Sequence, residues 1–182
     1  MKYRFLRWDP SWRKVLIRLY LIRHAADEKR AGSRSLTRRG RSRFRCVARA
    51  FAELEEPVDL ICASPKRYAR ETAEILARSL DQEEVLVLDE LSPRGSARSL
   101  LRALASRAGD CDGIAIVGHK RQLRELLSAL GLRKRELPLR KGAVLRIDVD
   151  RLSRPRASVP RFRLRRSAGE MRDAFCGLRK VA

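Results

Sequence analysis

Ile17-Arg18-Leu19-Tyr20-Leu21-Ile22-Arg23-His24 is a short, mostly aliphatic run that ends on one of only two histidines in the chain. Its length and its aliphatic and β-branched content read as a buried strand, Ile17–Arg23. The second histidine repeats the arrangement, because Ile114-Ala115-Ile116-Val117-Gly118 leads directly into His119. Parallel α/β sheets carry their functional groups at the carboxyl ends of strands, where loops open into a crevice. Two scarce titratable residues at that same position on two strands point to one shared site.

Outward from these runs, strand-like and helix-like stretches alternate. This pattern predicts an α/β fold, a three-layer α/β/α sandwich with a mostly parallel central sheet. A polar Arg/Ser/Gly-rich loop follows His24 through Ser35. Thr37 is placed to cap a helix running to about Leu54, with Phe44, Val47, Ala48 and Phe51 on one face, opposite a ladder of arginines. Pro57 closes it, and Val58–Ala63 reads as a second buried strand. Ser64-Pro65 opens a helix with Ala69, Thr72, Ala73, Leu76 and Leu80 inward. Val85–Leu88 is a third strand, 96–108 a helix striped with Leu100, Leu101 and Leu104, and Ile114–Val117 the fourth strand. Leu123–Leu130 forms a further amphipathic helix stopped by Gly131. Ala143–Val149 reads as a strand near an edge, antiparallel to its neighbours, and Phe162 with Leu164 adds one short strand.

The 182 residues suit one domain, and 44% apolar content fills its core with few aromatics. The division expected is a basic leader at 1–14, a main domain at 15–150 and an Arg-rich extension at 151–182. The net charge is +21, and residues 133–182 hold 16 cations against 5 carboxylates. Such a surplus attracts polyanions, although genomic bias toward arginine accounts for it equally well. Nucleic-acid binding through this tail has neither an aromatic stacking platform nor a recognisable module behind it. Cys46, Cys62, Cys111 and Cys176 are widely spaced, which argues against a metal knuckle or a disulfide framework. Val15–Ile22 is too short to span a membrane and is broken by Arg18, so no membrane partner and a cytoplasmic location are expected.

Two imidazoles beside an arginine suit phosphoryl transfer. A neutral imidazole attacks phosphorus, and nearby cations stabilise the charge on the equatorial oxygens. No carboxylates are spaced as a metal site, which favours a metal-free mechanism with no cofactor.

Arg23-His24-Ala25 resembles the signature that opens the histidine phosphatase superfamily. Leu36-Thr37-x-x-Gly40 resembles its "LTxxG" helix start. Cys62-Ala63-Ser64-Pro65, continuing to Glu71-Thr72-Ala73-Glu74-Ile75-Leu76, resembles its "SSPxxRAxQTAEIL" segment. Val117-Gly118-His119 matches its second histidine motif, and Leu91–Leu104 is similar to a stretch in the short SixA-type phosphohistidine phosphatases. The four motifs keep the family's order across about Arg18–Val149. The resemblance implies a phosphoglycerate-mutase-like fold, His24 as nucleophile, Arg23 as a phosphate clamp and His119 as a second stabilising or proton-handling group. It implies a phosphorylated protein or a small phosphomonoester as substrate.

Two departures stand out. The family's clamp arginine falls on Tyr68, flanked by Arg67 and Arg70, which point elsewhere on a helix turning about 100° per residue. Arg67, Arg70 or Lys66 would have to bend into the pocket. After His119 stands Lys120-Arg121, where Lys120 is a further candidate phosphate contact. Glu90 occupies the region in which the larger mutase branch keeps a proton donor. The expected activity is therefore phosphatase chemistry on phosphohistidine or another phosphomonoester. The alternative is a catalytically degenerate member that binds phosphate or polyanions.

Overall fold

The structure, a computed structural model, describes residues 17–30, 32–132, 139–149 and 162–164. Strand β1 (Ile17–Arg23) is followed by a hairpin, β2 (Asp27–Arg30) and β3 (Ser33–Leu36), then helix α1 (Arg38–Ala52), strand β4 (Leu60–Ala63) and helix α2 (Arg67–Ser79). Next come β5 (Leu86–Val87), a 3₁₀ turn (Asp89–Leu91), α3 (Ala97–Arg107), β6 (Gly113–Gly118) and α4 (Lys120–Ala129). Strands β7 (Val144–Val149) and β8 (Phe162–Leu164) complete the order.

The main sheet runs β5-β4-β6-β1-β7-β8. Pairings β4/β5, β4/β6 and β1/β6 are parallel, whereas β7 lies antiparallel to β1 and β8 antiparallel to β7. Side chains alternate across the pleat, so β1 feeds both faces. Tyr20 and Ile22 pack with the inward residues of α1 and α2, including Phe44, Phe51, Ala73 and Leu76. Leu19 and Leu21 pack with α3 and α4 through Leu100, Leu104, Leu123 and Leu127. Two apolar layers on one sheet make the three-layer α/β/α sandwich, and each fully buried leucine contributes about 1.5–3 kcal/mol.

The antiparallel β7 and the short β8 follow the pattern of the sequence. Two features differ from it. The stretch after His24 is an antiparallel hairpin rather than a loop, with Asp27 opposite Leu36 and Arg30 opposite Ser33. Its residues lack apolar alternation because backbone pairing and ion pairs hold it, so periodicity has nothing to detect. Helix α4 begins at Lys120, three positions before the expected Leu123, since His119 has extended backbone and caps it. The polar Lys120-Arg121 hides that first turn from a search for an apolar stripe.

Among the described residues, no helix is long and apolar enough to cross a membrane. Cys46, Cys62 and Cys111 are free thiols, and Cys176 lies outside the described residues. The leader at 1–14 also lies outside them, as does the extension at 151–182 apart from β8.

Candidate active site

Strands β1 and β6 are parallel and in register, Arg23 facing Gly118 across the pair. The next residue of each strand is therefore a histidine at the same level, and His24 N–H donates to the Gly118 carbonyl at 3.1 Å. The imidazole centroids lie 5.4 Å apart. Each histidine is only 7% exposed. Strand β1 ends at Arg23, which frees the two neighbours from strict alternation.

His24 Nδ1 lies 2.9 Å from the Ala25 carbonyl oxygen. A carbonyl only accepts, so the proton sits on Nδ1 and the lone pair on Nε2. Burial pushes the His24 pKa below its ordinary value, with the Ala25 carbonyl and Asp27 opposing and Arg23 and Lys141 assisting. His119 is pushed down to about 4, chiefly by burial, then by His24 and Lys66. Its Nε2 lies 2.8 Å from the fully buried Ser64 Oγ. The backbone N–H of Lys66 donates to that same oxygen at 3.4 Å, and the Ser64 hydroxyl holds the His119 ring in place through Nε2. Burial thus favours the neutral form of both imidazoles, and the Nε2 of His24 carries an unprotonated lone pair.

The surrounding loops are held by the motif residues. Thr37 caps α1, its Oγ1 accepting from Gly40 N–H at 2.8 Å. A Cβ on Gly40 would stand 2.2 Å from the Ala26 carbonyl oxygen, so only glycine lets α1 approach the loop after His24. Ala25 N–H donates to Thr72 Oγ1, which itself donates to the Tyr68 carbonyl, tying this loop to α2. Glu71 accepts from Leu36 N–H, Arg41 and Arg67. Gly142 has φ of 76° and donates to the carbonyls of Arg23 and His24, which closes the pocket from the β7 side.

The cations divide unequally. Arg23 Nη1 donates to the Leu139 carbonyl at 3.0 Å, and its buried Nε has no partner among the described residues. Its charge acts on both imidazoles. Arg67 is engaged at 3.0 Å by Glu71. Arg70 and Lys120 are exposed, and neither makes a hydrogen bond or ion pair to an imidazole. Glu90 sits in the 3₁₀ turn, where its backbone carbonyl accepts from Gln122, and its carboxylate makes no hydrogen bond or ion pair to either histidine. Tyr68, in contrast, enters the pocket. Its ring is edge-on to His24 at 4.5 Å and to His119 at 5.5 Å.

A model of the histidine phosphatase superfamily (branch 1) matches residues 19–96. The chain is 33% identical over 135 residues to an uncharacterised protein of a Picosynechococcus species, covering 70% of this chain and 82% of that one. The chain belongs to the histidine phosphatase superfamily. Its fold is SixA-like. The histidine phosphatase SixA complexed with tungstate superposes with a TM-score of 0.70 at 18% identity, over 79% of this chain and 96% of that one. A SixA described as putative, from Agrobacterium tumefaciens, gives 0.61 at 21% identity, over 72% and 91%. A mycobacterial glucosyl-3-phosphoglycerate phosphatase gives 0.59 at 15% identity, over 79% and 96%. Membership of this superfamily supports a phosphatase.

Within this histidine phosphatase pocket the structure adds residues that sequence reasoning missed. Asp27 is the main one. Its side chain is 2% exposed and takes Lys141 at 2.5 Å and Arg34 at 2.8 Å, while standing 3.6 Å from His24 Nδ1. A carboxylate three residues past the first histidine was the available signal. Lys141 had none, being 114 residues from Asp27 in sequence. Ser64 was visible only as part of a motif.

Proposed function

We propose that the chain is a phosphatase that takes phosphate from phosphohistidine or another phosphomonoester through a phosphohistidine on His24. One observation carries this reading: a buried neutral imidazole with Nδ1 anchored on a carbonyl, its Nε2 lone pair free, beside a second buried imidazole. In the first step Nε2 bonds to phosphorus, the bond to the leaving group breaks, and the leaving atom takes up a proton from solvent. Arg23 and the N–H of His119 hold the equatorial oxygens, where charge is greatest in the transition state. Water then attacks phosphorus, the phosphorus–nitrogen bond breaks, and inorganic phosphate leaves. The cationic surroundings suit a phosphorylated protein as well as a small phosphomonoester.

Turnover of p-nitrophenyl phosphate and of a phosphohistidine peptide tests the reading. Wild type is expected to turn over at least one of them and His24→Ala to lose about 10³-fold or more, in the range seen when a catalytic nucleophile is removed. Turnover that survives in His24→Ala would overturn it. A second reading, a phosphate-binding member without catalysis, is favoured by Tyr68 where the superfamily keeps a clamp arginine. It predicts phosphate binding with no turnover in either protein.

A further inference from the structure

Tyr68 leaves the face of the pocket between the two imidazoles without a guanidinium on α2. A different arginine stands beside Tyr68. Arg34, on β3, places its Cζ 6.0 Å from the centre of the Tyr68 ring. Its Nε donates to Asp27 Oδ2 at 2.8 Å, the same carboxylate that stands beside His24. Neither terminal nitrogen has a protein partner among the described residues. A guanidinium anchored through Nε presents its terminal fork for two parallel hydrogen bonds, the geometry that suits two oxygens of a phosphate. The side chain is 55% exposed, free to swing in the picoseconds to nanoseconds of a surface rotamer.

We propose that Arg34, anchored on Asp27, is the phosphate clamp of this protein, a hairpin residue doing what an arginine on α2 would do if Tyr68 were one. The proposal rests on the pocket between His24 and His119 being a phosphate site. Asp27 is then a positioning residue. It aims Arg34 and brings Lys141 to the same rim, so that two cations share one carboxylate and the rim keeps a net positive charge. Tyr68 remains a neutral phenol in this arrangement, its pKa raised by burial and by Asp27. Its edge-on ring fills the gap that an α2 guanidinium would occupy, and Arg34 lies over it.

The test combines Arg34→Ala, Tyr68→Arg and the double variant, with Arg45→Ala on the exposed face of α1 as a control. Two readouts are needed: kcat/KM on p-nitrophenyl phosphate, and the affinity for inorganic phosphate by calorimetry. Arg34→Ala is expected to weaken phosphate binding about tenfold and to lower kcat/KM about 100-fold, mostly in kcat, the scale seen when one oxyanion donor is deleted. Thermal unfolding of this variant is expected to stay at the wild-type midpoint. Tyr68→Arg in the Arg34→Ala background is expected to recover most of both losses, since residue 68 already reaches between the imidazoles. A merely structural arginine would not be rescued from another element. Unchanged phosphate affinity in Arg34→Ala, or loss without rescue in the folded double variant, would overturn the proposal. A wild type that binds phosphate but turns nothing over would sink the phosphatase reading alone, and the calorimetric cycle would still decide the role of Arg34.

Discussion

His24 Nδ1 faces the Ala25 carbonyl, and that contact sets both the tautomer and the direction of the Nε2 lone pair. The proposed attack requires the neutral form, so the depressed pKa has a kinetic consequence. An imidazole whose pKa lies below its ordinary 6.5 stays unprotonated as the pH falls through 6.5 and is lost only lower down. The acid limb of kcat/KM, corrected for the ionisation of the substrate, is expected below pH 6.5. A limb at or above that value would show that His24 is not held neutral by burial. Asp27 shows why some of the site was illegible. An aspartate in a polar segment reads as a solvated loop residue, and only the fold reveals it buried beneath Arg34 and Lys141.

The elements explain which motifs were readable. The apolar periods of α1, α2 and α3 match the buried faces closely because each packs one stripe on the sheet, and β1, β4 and β6 are buried on both sides and read as continuous apolar runs. The β2–β3 hairpin carries charge instead of apolar alternation and escaped the same reading, although it supplies Asp27 and Arg34. Gly40 shows how an element position becomes a site requirement. Its hydrogen leaves room for the Ala26 carbonyl, which accepts Thr37 N–H at 2.9 Å and keeps the start of α1 against the loop after His24. Gly40→Ala is expected to destabilise the fold by about 1–3 kcal/mol through overpacking against backbone that cannot yield. Urea unfolding measures this directly, and an unchanged midpoint would show that the loop is free to retreat.

At the scale of the whole molecule, the buried histidines link the site to stability. A histidine whose folded pKa is depressed binds its proton more readily in the unfolded chain. Its contribution to stability is complete above pH 6.5 and is lost as pH falls toward the folded value, which for His119 is about 4. His119→Gln is therefore expected to show a shallower loss of unfolding free energy than wild type between pH 6.5 and 4, and an identical slope would show that His119 titrates normally. The in-register pairing of β1 with β6 joins both histidines at one end of the sheet, a relation between distant segments that equal strand endings foreshadowed but only the sheet order completes. The central claim is covalent catalysis by His24 through Nε2. Rapid quenching with a good substrate under alkaline conditions, followed by mass spectrometry and ³¹P NMR, tests it. The account predicts a phosphoryl group on His24, bonded to Nε2 and absent from His24→Ala. Turnover with no phosphoenzyme, or phosphate bonded to Nδ1, would contradict it.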